Sequence, residues 1–384
     1  MASLIPLFST TQIAGLSTSY VAGLTTEDWA SFSTLQIRAL SSVQMAAISS
    51  TGLPALQSNT LAALDSVQLA ALTTAQMPHL TTAQVGWLNT AQVIALESSD
   101  VAAMTSTQIG ALNTAQVAVL TTAQLAAFTT AEARALNSAD LGALNSVQFG
   151  ALSSAQITAF TSTQIGALST AQVASIGSNA IAAFSTAQLS ALNSADIAAM
   201  NTAQVAALSS VQVAALSTAQ LGGLNSAQIG ALGTSDVVAM STTQIAALNT
   251  AQVAALTSVQ VAALTTAELR ALNTADINAL NSVQLGALNS AQLGSLATSQ
   301  IAALNTAQVA SLSTSSLNAL GTAQIAALNS ADIGVLNSVQ MAGLNSAQVA
   351  ALNSVQLGAL NSVQIDAIET GDIRAMTTAQ IAAL

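Results

Sequence analysis

The sequence predicts an all-α solenoid of 48 octads, each one short helix, α or 3-10, followed by a tight turn. Three observations predict it. The 384 residues divide into eight-residue phrases from Met1 to Leu384 without an insertion or deletion, and every eighth residue is Leu, Phe, Ile or Met. Each phrase opens with a helix-start signature. Each phrase also holds only two large apolar positions, too few for one unit to fold alone.

The elements follow position by position. Position one is usually Asn, Ser or Thr, position two is Ser or Thr in every octad but the first, and position four is mostly Gln, with Asp or Glu as the main substitute. With position one as N-cap, position four becomes N3, so the pair forms a capping box and the preceding Leu staples the apolar residue at position five. The stretch Asn249 to Leu272, NTAQVAALTSVQVAALTTAELRAL, shows three such starts, capped by Asn249 and Gln252, Thr257 and Gln260, and Thr265 and Glu268. Its core ladder is Leu248, Val253, Leu256, Val261, Leu264, Leu269 and Leu272.

Position six carries all four arginines (Arg38, Arg134, Arg270, Arg374) and all three prolines (Pro6, Pro54, Pro78). A position that accepts charge this readily faces water. The hydroxyl required at position two asks for a partner on a neighbouring coil or on the last carbonyls of the preceding helix. Position seven is nearly always Ala or Gly, which allows helices to approach closely.

One continuous helix fails, because eight residues advance the helical wheel by about 800° and the Leu stripe drifts by roughly 80° per octad. The chain must turn within each octad. Burying one Leu and one Val returns roughly 3 to 6 kcal/mol, less than the cost of ordering eight backbones at about 1 to 2 kcal/mol each. Stability is therefore a property of a stacked array. The rival structure is a β-solenoid, suggested by Ser, Thr, Ile and Val at fixed positions and by Gly and Pro at position six. Against it stand Ala and Gln, good helix formers and poor strand formers.

Residues 1–80 are the least regular and are expected to cap or join the array, whereas residues 81–384 read as one continuous solenoid. A longer period relates Glu97 to Gly233 and Glu369, and Glu132 to Glu268, at 17 octads. Duplication explains it, and so would a whole number of superhelical turns. The closing octad, TTAQIAAL, carries no polar cap and invites a further subunit.

Composition excludes several functions. The net charge is -11, from 15 acids against four Arg with no Lys, which leaves no basic patch for phosphate. Apolar runs are cut every four or five residues, so no segment reaches the ~20 residues of a membrane span. No basic n-region precedes an apolar core at the N-terminus, so no secretory signal is visible. There is no Cys and a single His, His79, which reads as an ordinary packed or surface histidine rather than a haem or metal ligand and is the only conventional base for a serine nucleophile. No catalytic, cofactor or metal residue is expected, and the paired acids Glu132 and Asp140, or Glu268 and Asp276, fall short of the six to eight oxygens of a calcium site.

The pattern at Leu248 and the octad NTAQVAAL after it, L-[NST]-[ST]-A-Q-[VIL]-x-A-L, resembles the octapeptide arrays of large bacterial repeat proteins often labelled adhesin-like or haem-utilisation-like. That resemblance implies a secreted or surface-exposed structural protein. The helix opening is also similar to the repeats of plant-pathogen DNA-binding effectors, but their longer repeat and basic charge are missing here. The expectation is a non-enzymatic, rod-like, extracellular or cell-surface protein that binds no nucleic acid and inserts in no membrane. Its partner would be itself, head to tail in filaments or a sheath, with other surface or matrix components as further partners. Trp29, Arg134, Arg270, Arg374 and Leu384 are the candidate assembly contacts. The alternative is an adhesin stalk or an ice- or glycan-binding surface.

Overall fold

The protein was analysed as a computed structural model, which describes residues 3–384. Every octad is one helix. Among the described residues there are 45 α-helices of four to six residues and three 3-10 turns, and no strand. The chain is an all-α solenoid, and the β-solenoid is excluded.

The three 3-10 turns, Ile5–Leu7, Leu53–Ala55 and Met77–His79, are the three octads with proline at position six. Proline has no N–H to bond back four residues and its ring crowds that carbonyl, so the α-helical turn cannot form there.

The capping box forms almost throughout. At Asn249 the side-chain oxygen accepts from the Gln252 N–H at 3.0 Å, and Gln252 Oε1 accepts from the Asn249 N–H at 2.9 Å. Two extended residues then turn the corner between helices: Leu256 at φ -59, ψ 138 and Thr257 at φ -70, ψ 158. Among the described residues none has positive φ, so the bends require no glycine. Any L-residue can occupy a corner, and the side chains rather than the backbone select Leu followed by Asn, Ser or Thr.

Two compact units make up the chain, Met1–Leu192 and Asn193–Leu384. Within the first unit helices pack on the third one after them, as Ser106–Ile109 does on Thr130–Ala135 and Thr114–Ala118 on Ser138–Ala143. The second unit repeats the rule, with Ser194–Ala199 against Thr218–Gly223 and Thr250–Ala255 against Thr274–Ala279. Three octads, or 24 residues, therefore make one turn in each unit, and the helices stand in three columns.

That count decides against one of the two explanations of the 17-octad period. Seventeen octads are not a whole number of turns, and within the second unit Asp236 and Asp372, spaced by that period, lie in different columns. The 17-octad period therefore marks no single column, which leaves duplication as its explanation.

The core runs between the columns. Val253, Val261 and Leu269 at position five are fully buried, and Leu248, Leu256, Leu264 and Leu272 at position eight are nearly so. Gly223 marks a close approach, since a Cβ there would stand 2.5 Å from the Ser194 carbonyl oxygen.

Candidate functional site

The corner of each turn carries the chemistry that repeats. Gln at position four is buried, and its two ends do different work. In the second unit Gln252 Oε1 closes the capping box, while Nε2 donates to the carbonyls of Leu221 at 2.8 Å and Leu224 at 2.7 Å. Gln260 donates in the same way to Ile229 at 3.3 Å and Leu232 at 2.7 Å. In the first unit Gln116 reaches Val85 at 2.8 Å and Leu88 at 2.6 Å. One acceptor lies 28 residues earlier and the other 31, or 30 at clamps such as Gln148 and Gln340, at the corner of the turn beneath.

This clamp satisfies carbonyls that a helix end leaves without intrahelical partners. Sequence reasoning assigned Gln only to the capping box, and one signal pointed further. A capping box accepts Glu as readily as Gln, yet Glu stands at position four only at Glu132 and Glu268. The preference for Gln is a demand for the amide donors.

Where an acid replaces Gln the corner is rewired. Thr265 Oγ1 accepts from the Glu268 N–H at 3.2 Å and Glu268 Oε2 accepts from the Thr265 N–H at 2.6 Å, so the box survives without a donor to the turn beneath. Asp140 and Asp276 each accept, at 3.0 Å, from a position-two hydroxyl on the neighbouring coil, Thr114 and Thr250 respectively. Elsewhere Ser226 and Ser282 use the same hydroxyl on the carbonyls of Ala251 and Ala307.

Asp332 is fully buried and its Oδ1 has no hydrogen-bond partner. Burial pushes its carboxyl above the ordinary value, as it does for Asp100 and Asp196. Asp28 goes the other way, because the Ser3 hydroxyl donates to it at 2.7 Å and favours the carboxylate.

Among the candidate assembly contacts, Arg134, Arg270, Arg374 and Leu384 are exposed. Trp29 is a correction. It is fully buried at position five, stacked on Phe32 with ring centroids 4.9 Å apart, and offers no surface. Its bulk occupies the space over Gly52, where any Cβ would stand 2.4 Å from the indole nitrogen. His79 is exposed at the end of its 3-10 turn. Among the described residues no group of three or more His, Asp or Glu could hold a metal, and no helix is long and apolar enough to cross a membrane.

Shallow grooves recur beside the corners. One of about 450 Å³ is lined by Arg134, Thr158, Thr161, Ser162, Ser185 and Gln188. Another, of about 490 Å³, is lined by Ala254, Leu256, Thr257, Ser258, Ser282 and Val283 in the second unit. They share one register, and Arg134 distinguishes the first.

Fold and corner together define an octapeptide-repeat protein of the helical solenoid class. The ALTTAQ repeat is matched twelve times between residues 45 and 384, among them 45–82, 93–130, 229–266 and 325–362, and the chain belongs to that repeat family. The corner from Ala71 to Gln76 spells the family's phrase, from the small residue before the core Leu to the clamp Gln. No curated protein matches the chain.

Proposed function

We propose that the protein is a non-enzymatic, extracellular structural component whose octad coil associates head to tail into filaments or a sheath. The observation that carries this reading is the Gln clamp. Each turn offers the same carbonyls to the turn above that it reaches for in the turn below, so the internal interface is heterologous and open, the kind that generates polymers when it is repeated between molecules. The surface between corners is built from uncharged Ser, Thr and Asn, and the mutual partner is another copy of the same coil.

Electron microscopy of purified protein over a concentration series tests assembly, with filaments or sheets as the expected result. Monodisperse 38.0 kDa particles at every concentration would overturn it. Fractionation of the producing cells tests the placement outside the cell.

A second reading, an adhesin stalk or glycan-binding surface, draws on the hydroxyl-lined groove beside Arg134. A glycan array discriminates the two, because self-assembly needs no ligand.

A further inference from the structure

The three columns of the second unit differ in their outer surfaces. One column is formed by the helices Ser210–Ala214, Thr234–Val238, Ser258–Ala263, Ser282–Gly286, Thr306–Ala310, Ser330–Gly334, Ser354–Leu357 and Thr378–Ile381, each packed on the next. Six of its eight octads expose a valine: Val211, Val238, Val259, Val283, Val335 and Val355. Val211, Val259, Val283 and Val355 stand at position three, where Ala is the usual residue, and leave 63 to 72% of their surface uncovered. Of the other two columns, one exposes Val339 and Val363 and the other Ile373.

The same column exposes no charged side chain. Its only acids, Asp236 and Asp332, are turned inward and buried, and both arginines of the unit, Arg270 and Arg374, stand on the other columns. An aliphatic, charge-free stripe on one side of an otherwise polar coil is the signature of a contact surface.

We propose that this valine column is the lateral interface at which two copies of the chain pair face to face. Charge selects the occupant. Each copy carries a net charge of -11, and within the second unit this is the column on which two such copies can meet without placing like charges together or desolvating one. Size agrees. Eight helices of four to six residues, each about 6 to 9 Å long and about 8 to 10 Å apart, span roughly 470 to 580 Å² in projection. That is about two thirds of the ~800 Å² per partner of a stable interface before surface relief is counted. Spacing agrees as well, because a second octad coil repeats its ridges every 24 residues. A two-fold pairing would seat each exposed valine in a recess like the one of about 490 Å³ beside Val283.

This contact is separate from the end-to-end association proposed above and does not rest on it. Sedimentation equilibrium on the full chain separates the two, since lateral pairing gives a discrete doubling of mass and end-to-end growth gives an open-ended series. The decisive variant is V259E/V283E, with V339E/V363E on the neighbouring column as control. All four side chains are exposed, and unchanged far-UV circular dichroism verifies that the variants fold. The expected result is lateral association weakened tenfold or more in V259E/V283E and unchanged in the control. A wild-type chain with no mass-doubling species up to submillimolar concentration, or a V259E/V283E variant that pairs as tightly as wild type, would overturn the proposal.

Discussion

The side-chain amide of Gln252 lies 2.7 Å from the carbonyl oxygen of Leu224, which stands 28 residues earlier on the turn beneath. One side chain thus caps its own helix and fastens the corner below it. Gln252→Glu separates these roles, because Glu keeps the capping acceptor and loses the donors. The carbonyls of Leu221 and Leu224 would then face a carboxylate, at a cost of about 1 to 3 kcal/mol for unsatisfied buried groups. Native-state hydrogen exchange is the suitable measurement, since long repeat arrays need not unfold in one step. Protection at the amides around residues 221–253 is expected to fall by roughly 10- to 100-fold, and unaltered protection would refute the clamp.

Capping is tested by Asn249→Ala, which removes the oxygen that accepts from the Gln252 N–H. Loss of about 1 kcal/mol is expected, with Asn249→Ser close to wild type because Ser caps as well. The same exchange experiment, read over the helix Thr250–Ala255, checks it.

Asp332 gives the array a pH dependence whose sign can be worked out. Its folded-state carboxyl titrates above the ordinary 3.8 because burial disfavours the charge. Ionisation therefore costs folded stability, fully so above the folded value, and the penalty fades as pH falls from there toward 3.8. Asp332→Asn should raise stability at neutral pH by about 1 to 3 kcal/mol, the cost of an unsatisfied buried group, and flatten this slope. Urea midpoints at pH 7 and near pH 4 measure it. Asp28 has the opposite sign: the carboxyl held low by Ser3 stabilises above the ordinary range, and that contribution is lost as pH falls through the depressed value.

Two glycines predict opposite outcomes for the same substitution. A Cβ at Gly223 would stand 2.5 Å from the Ser194 carbonyl oxygen, whereas one at Gly286 meets nothing within 4 Å. Gly223→Ala should destabilise by about 1 to 3 kcal/mol through the forced shift. Gly286→Ala, in the helix Ser282–Gly286, should stabilise by roughly 0.5 to 1 kcal/mol. Thermal midpoints that move the same way for both would contradict the packing between these coils.

What the sequence made legible was local. The capping of Asn249 by Gln252, the exposure of Arg270 and the burial of Val253 follow from rules that operate within one octad, and an unbroken register applies them throughout. The reach of Gln252 to Leu221 was not legible, because a chain of near-identical phrases gives no clue to which phrase lies beneath which. The same ignorance of phase hid the valine column. Val211, Val259 and Val283 look scattered until a turn of 24 residues lines them up. Trp29 misled for another reason: an aromatic in an aliphatic array reads as a surface anchor, and only the space left by Gly52 shows that the core accommodates it. The prolines were placed correctly on the exposed position, and the 3-10 turns are their local consequence.

The Gln clamp, with its fixed span of 28 to 31 residues, also governs how such a chain acquires its structure. Each new turn finds its template already complete just behind it, so the sequence separation of native contacts stays constant however many octads are added. Long chains of this design face no growing loop-closure penalty. They can zip up in order as they emerge from the ribosome, which makes array length something evolution can change by duplication without altering the difficulty of folding.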